Sequence, residues 1–327
     1  MPVPATLATS AIATTIANLA TIISTVQHCP AQIGSFVDKG KVLLLSLLLS
    51  PSLLLAQDFD AIQITTIPVR DNIYVLQGSG GNIGVSVGDE GTLIIDDQFG
   101  PLTDKISAAI AELTELPVTF VVNSHFHYDH TDGNTNFGHA GAYIVAQDNS
   151  RQRMESTQVL ANGHVQEAYA APGLPKITFF DSMRFYFNGQ TVDLVNTGAG
   201  HTDGDAQVYF REANVIHAGD MFVRYGLPFI DVNNGGTLDG MIDAVANLAS
   251  LINNDTIIIP GHGQLSSRAD LLEFRNMLVA IRGNLVRAKV QGLSEVEMLS
   301  TEPAADYAAN NDGTREWLVR HYAEYTQ

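Results

Sequence analysis

Cysteine is almost absent. The 327-residue chain holds one, Cys29, so no disulfide can form within it, and a disulfide-stapled scaffold is excluded. Basic residues are scarce as well: 17 Lys and Arg face 35 Asp and Glu, a formal net charge of −18. Such a surface repels phosphate backbones, so nucleic acid is not an expected partner. Charge of either sign is missing from residues 1–36, which are rich in Ala, Thr and Ile. Beyond residue 56 there is no Pro/Ser-rich linker and no short-period repeat, so that part reads as one domain. Apolar residues, in contrast, are ample at 45% against 16% charged, which fits a packed core rather than a disordered chain.

The N-terminal segment carries information about compartment. Lys39 and Lys41 precede an apolar run from Val42 to Leu55, closed by Ala56, after which Gln57, Asp58 and Asp60 turn the chain polar. Positive region, apolar run and small terminal residue together read as a secretory signal peptide. The run is short of the roughly 20 residues of a membrane span. No cysteine follows it, so neither a stable membrane anchor nor a lipid anchor is expected. The uncharged residues 1–36 do not fit ahead of a signal peptide. The expected start of translation is therefore near Val37; N-terminal sequencing of the unprocessed product tests this, and a product beginning at Met1 contradicts it. The organisation read here is an N-terminal extension and signal peptide at 1–56, and a domain at 57–327 in the periplasm or outside the cell. The mature chain then lacks cysteine, which suits an oxidising compartment.

Short strand-like segments open the domain at Ala61–Pro68, Asn72–Gln77, Asn82–Val87 and Thr92–Asp96, with glycine-rich turns between. Ile106, Ile110 and Leu113 have helical spacing within Pro101–Leu113, and Val118–Val122 is a buried-strand run. A strand at Tyr143–Ala146, a helix at Asn149–Val159 and an irregular stretch to Pro175 follow. Strands resume at Ile177–Phe180, Met183–Phe187, Thr191–Asn196, Ala206–Phe210 and Val215–His217. Helices are expected at Leu238–Leu251, Arg268–Lys289 and Thr314–Tyr325, with a strand at Thr256–Ile259. Two β-rich halves with helices outside predict an α/β fold, a four-layer αβ/βα sandwich.

The chemistry is concentrated just after Val118–Val122, in Ser124-His125-Phe126-His127-Tyr128-Asp129-His130. Three imidazoles and a carboxylate so close together are natural zinc ligands. His125 and His127, two apart, can reach one metal from an extended backbone, while Asp129 and His130 point elsewhere and can serve a second. Three later residues stand just past apolar strands: His201 in Gly200-His201-Thr202-Asp203, Asp220 in Gly219-Asp220, and His262 in Gly261-His262-Gly263. Loops at one strand edge converge to build sites in layered α/β folds. His217, on an apolar strand, reads as a packed core residue. His139, His164 and His321 have no partner pattern and read as surface, and Trp317 as core.

The pattern His-x-His-x-Asp-His, then Gly-His, Gly-Asp and Gly-His, resembles the metallo-β-lactamase superfamily from Ala61 to about Lys289. The resemblance implies two zinc ions at the shared edge of two sheets. By matching positions, it implies that His125, His127 and His201 hold the first ion, that Asp129, His130 and His262 hold the second, and that Asp220 bridges them. It implies that Asp96 buttresses the metal loop. Arg224, Tyr225 and Asn233 fall in the stretch where relatives place substrate contacts.

Two zinc ions about 3.5–4 Å apart share a hydroxide that exists at neutral pH. The expected reaction is attack of that hydroxide on a carbonyl carbon, with Asp129 as the catalytic residue that orients it and moves a proton. Fold alone does not choose the substrate. The resemblance disfavours oxygen chemistry, since the diiron branch has a glutamate where His127 stands. Most zinc β-lactamases lack this full ligand set, and Asp220 with His130 is closer to glyoxalase II, lactonases and ribonuclease Z. Export argues against a glutathione thioester, and the acidic surface against RNA. The expectation is an exported, β-lactamase-like zinc hydrolase cleaving a small cyclic amide or ester, with weak β-lactam hydrolysis. The alternative enzyme is a lactonase or a glyoxalase II-like thioesterase. A metal-binding pseudoenzyme would lack ligands, and none is missing.

Overall fold

The computed structural model describes residues 58–325; the expected N-terminal extension and signal peptide, residues 1–56, lie outside them. The first sheet opens with four antiparallel strands, β1 (Thr65–Arg70), β2 (Ile73–Gln77), β3 (Ile83–Gly88) and β4 (Gly91–Ile95). Helix α1 (Thr103–Ala111) then crosses to β5 (Val118–Val122), which pairs parallel to β4. Two short helices, α2 (Tyr128–Thr131) and α3 (Asn134–His139), precede β6 (Tyr143–Gln147), which is parallel to β5. Helix α4 (Asp148–Met154) leads to a small hairpin, β7 (Gln158–Val159) and β8 (Val165–Gln166), and then to β9 (Ile177–Phe179), which completes a sheet of order β1-β2-β3-β4-β5-β6-β9.

The second sheet contains β10 (Ser182–Phe187), β11 (Gln190–Val195), β12 (Gln207–Phe210), β13 (Val215–His217) and β14 (Ile257–Ile259) in sequence order. Its first four strands are antiparallel. The last is parallel to β13, because helix α5 (Leu238–Leu251) carries the chain back along the sheet. Helices α6 (Arg268–Val290), α7 (Glu295–Ser300) and α8 (Asp312–Ala323) close the chain.

Alternation along the strands fixes the layers. Ile73, Val75, Leu93, Ile95, Val122 and Val145 of the first sheet meet Val192, Leu194, Val208, Phe210, Val215 and Ile259 of the second in one buried cluster. The intervening residues Leu76, Ile94, Val121 and Ile144 turn outward and bury Ile106 and Ile110 of α1. On the far side, Tyr209, Ile216 and Ile258 bury Val245 and Leu248 of α5 and Leu271, Leu278 and Ile281 of α6. A period of two in strands and three to four in helices thus yields four layers, α, β, β and α. The expected sandwich is the observed fold.

Four local expectations differ from what is seen. The helix expected over Asn149–Val159 ends at Met154, where the Gln158 side chain donates to the Arg153 and Ser156 carbonyls and closes the end. The segment beyond it, expected to be irregular, contains the β7–β8 hairpin. Helix α7 was not expected, although Ser294 and Glu297 form a reciprocal capping box at its start. His321, expected at the surface, is fully buried, with its ring 4.2 Å from that of Trp317 one turn earlier. Among the described residues, no helix is long and apolar enough to cross a membrane.

Candidate metal centre

All seven expected donors gather at one edge of the two sheets, each beyond the C-terminal end of a strand. His125, His127, Asp129 and His130 follow β5 and enter α2; His201 follows β11, Asp220 follows β13, and His262 follows β14. They form three overlapping groups whose donor atoms lie within 4.8 Å of one another: His125, His127 and His201; His125, His130 and Asp220; and Asp129, His130 and His262. Asp220 Oδ1 lies 3.3 Å from His130 Nε2 and 3.6 Å from His262 Nε2, while Asp220 Oδ2 lies 3.8 Å from His201 Nε2. Asp220 therefore stands between the two triads.

Four of the five imidazoles are held from behind. Asp96 Oδ1 accepts from the Ser124 amide at 2.7 Å, and Oδ2 accepts from Ser124 Oγ and from His130 Nδ1, both at 2.7 Å. Ser124 Oγ lies 3.0 Å from His125 Nδ1. His127 Nε2 donates to Asp231 Oδ2 at 2.9 Å, and His201 Nδ1 to the Phe229 carbonyl at 2.7 Å. These partners fix the tautomers, leaving His125 Nε2, His127 Nδ1 and His201 Nε2 as bare lone pairs turned inward. Asp96 and Gln98 hold left-handed backbone, φ 63° and 55°. This costs about 1–3 kcal/mol each and persists only where the surroundings impose it. The three hydrogen bonds at Asp96 supply that constraint.

Two glycines are required by close approach. A Cβ on Gly81 would come 2.1 Å from His130 Cε1, and one on Gly261 would come 1.9 Å from Asp220 Oδ1. The His262 turn is strapped to the first sheet by Asn82, whose Nδ2 donates to the Pro260 and Gly263 carbonyls at 2.8 Å each. The His201 turn is folded around Asp205, which accepts from the His201 amide at 2.8 Å, the Thr202 amide at 3.0 Å and Thr202 Oγ1 at 2.6 Å.

The residues present fit a cation. His125 Nε2 and Asp220 Oδ1 are buried and have no hydrogen-bond partner. His127 Nδ1 and His201 Nε2, both left as lone pairs by their outer partners, face each other at 2.8 Å, while His130 Nε2 and His262 Nε2 approach to 3.2 Å. Facing lone pairs repel unless something positive lies between them. Five imidazoles and two carboxylates are a zinc-type donor set. Electrostatics divides the triads. Burial, together with the neighbouring imidazoles, holds His125 well below the usual histidine value. Burial also brings His127 down to about 4, although Asp231 opposes it. Burial would lower His130 and His262 too, but Asp220 and Asp129 outweigh it and raise both. Burial would raise Asp129, yet the charge on His130 and the hydrogen bond from His262 bring it down to about 2.

Asp96 is bonded to Ser124 and His130 of the loop. Tyr225 reaches the centre, its ring centroid 5.8 Å from that of His262. Arg224 turns to Asp270, at 3.4 Å, and Asn233 donates to the Val159 carbonyl of β7. His217 is a satisfied core residue, bonded to the Asn82 carbonyl and the Gly219 amide. Sequence reasoning missed Ser124, Asp205, Asp231 and Phe229 as supports. Asp231, set between Ile230 and Val232, carried a signal: a carboxylate inside an apolar run must be partnered. A cavity of about 340 Å³ opens beside the loop against Tyr128, His164, Val165 and Tyr169; none of the seven donors lines it.

Residues 76–262 match the model of the metallo-beta-lactamase superfamily, more than half of the chain, and the protein belongs to that superfamily. Its members are mostly zinc hydrolases. Among solved structures, a metallo-beta-lactamase from Pontibacter korlensis is 18% identical with a TM-score of 0.56, the match covering 66% of this chain and 99% of that one. The DIM-1 metallo-beta-lactamase is similar at 18% identity and a TM-score of 0.54, over 66% and 98%. The DIM-1 structure exposed to ceftazidime gives 17%, 0.54, 66% and 96%. At these identities, the likeness concerns the fold.

Proposed function

We propose that the protein is an exported dizinc hydrolase that cleaves the carbonyl–heteroatom bond of a small cyclic amide or ester. The observation that carries this reading is the pair of converging triads that share Asp220, with the orphaned His125 Nε2 and Asp220 Oδ1 between them. His125, His127 and His201 would hold one ion, Asp129, His130 and His262 the other, and Asp220 both. Bound zinc supplies Lewis acidity for a carbonyl oxygen and lowers the pKa of water to about 7.

The chain's own groups do the rest. Asp129, partly exposed and ionised at neutral pH, can orient the attacking water at Oδ2 and take its proton. Asp96, Ser124, Asp231 and the Phe229 carbonyl keep the imidazoles in one tautomer and orientation. The Tyr225 and Phe229 rings wall the centre at His262 and at His127 and His201, where they keep bulk water from the reacting carbonyl.

The test is turnover of a chromogenic cephalosporin by zinc-loaded protein beside His262→Ala. Turnover that the substitution abolishes supports the lactam reading. No turnover with zinc bound transfers the assignment to lactones and thioesters, and no turnover of any of these overturns it. N-terminal sequencing of protein recovered outside the cytoplasm tests export; a chain beginning near Gln57 supports it, and an unprocessed cytoplasmic chain overturns it.

A further inference from the structure

The cavity of about 340 Å³ beside the metal loop is separate from the metal centre, since none of the seven donors lines it. Its size is that of a small-molecule site. Two of its aromatic walls are set by contacts. The His164 ring, in the turn between β7 and β8, stacks on the Tyr128 ring with centroids 4.0 Å apart and planes 25° apart. The Tyr169 hydroxyl lies 2.8 Å from Thr131 Oγ1 at the end of α2.

The polar lining is one-sided. Asp132 Oδ2 accepts from the Gly100 amide and Glu167 Oε2 from Thr157 Oγ1, each at 2.8 Å. The other oxygen of each carboxylate has no partner among the described residues. No lysine or arginine lines the cavity. Gln166, also in the lining, is only 5% exposed. Its Nε2 donates to the Phe126 carbonyl at 2.8 Å, and its Oε1 is buried without a hydrogen-bond partner. A buried acceptor of this kind is costly unless a donor reaches it. Two carboxylates supply negative charge, the amide oxygen can take an N–H, and the tyrosine rings present π faces. Together these match a cation that carries N–H donors.

We propose that this cavity binds the protonated amine of a small organic molecule, as a second ligand site beside the metal loop. The proposal does not rest on the hydrolase reading. The test is calorimetric titration of full-length, zinc-loaded protein at pH 7 with 2-phenylethylamine, a cation at that pH, and with its neutral counterpart 2-phenylethanol. The amine should bind with Kd of about 1 mM or tighter, and the alcohol at least about tenfold more weakly. Glu167→Gln, at an exposed position where folding is not at stake, should weaken the amine about fivefold and leave the alcohol unchanged. Adding Asp132→Asn, which keeps an acceptor for the Gly100 amide, should weaken it further. Gln166→Leu should also weaken the amine. Equal binding of amine and alcohol, or no binding of the amine, overturns the proposal. Undiminished amine binding in the Asp132→Asn, Glu167→Gln double variant places the amine elsewhere, on zinc included, and overturns it as well.

Discussion

The two triads of the centre differ in where their carboxylates stand: the first holds three imidazoles, the second two imidazoles and Asp129. In the first, His125 and His127 are held below the usual histidine value by burial, and their far nitrogens are tied to Ser124 and Asp231. Their inward nitrogens are bare at neutral pH. In the second, His130 and His262 face Asp129 and Asp220 and are raised, so they hold a proton to higher pH than the first triad does. The difference lies in where the carboxylates stand. A carboxylate behind an imidazole orients it for a metal; one in front holds a proton that the metal must displace.

This contrast can be broken in several ways, in order of expected effect. Asp220→Ala removes the carboxylate that lies between the two triads. Hydrolysis should fall by about a thousandfold or more, with loss of at least one zinc; near-normal turnover in a steady-state assay contradicts the shared role. His262→Ala strikes the second triad alone, so zinc analysis should find one ion retained where the unaltered protein holds two. Asp231→Ala frees His127 Nε2 and should weaken zinc binding at the first triad by about 10–100-fold in a chelator competition, with little change at the second.

The pH dependence should separate the triads as well. Below their raised pKa values, His130 and His262 must each release a proton, so affinity for the second ion should rise by up to about a hundredfold per pH unit. Affinity at the first triad should change far less between pH 6 and 8. Equal slopes in titrations at three pH values would remove the distinction.

A smaller effect concerns stability after metal removal. A raised histidine contributes stability that is complete below its unfolded pKa, about 6.5, and lost as pH rises through the folded value. The lowered Asp129 and Asp220 contribute above about 3.8, and lose that contribution as pH falls toward the value near 2 at Asp129. Metal-free protein should therefore melt on the order of a few degrees lower at pH 9 than at about pH 7.5, a window above the range in which the lowered His125 and His127 cost stability. Zinc-loaded protein, with those protons already gone, should not show that alkaline loss.

The legible part of the molecule follows the same logic. The seven donors stood out because histidine and aspartate after apolar strands have few structural reasons to cluster. The layers were readable because Leu93–Ile95 and Val121–Val122 alternate between two cores. Supports such as Ser124, Asp205 and the Phe229 carbonyl were not readable, since a serine or a backbone oxygen becomes a tautomer lock only through a contact distant in sequence. Arg224 and Asn233 were placed by position in the chain, while their contacts with Asp270 and Val159 depend on how the loop turns. His321 read as surface because its buried partners, Trp317 and Glu324, form a pattern only once α8 has docked.

Anomalous scattering at the zinc edge from crystals of the zinc-loaded protein tests the centre most directly. Two peaks are expected, one among His125, His127 and His201 and one among Asp129, His130 and His262, with Asp220 between them. A single peak, or none, at full zinc saturation would contradict the two-triad centre.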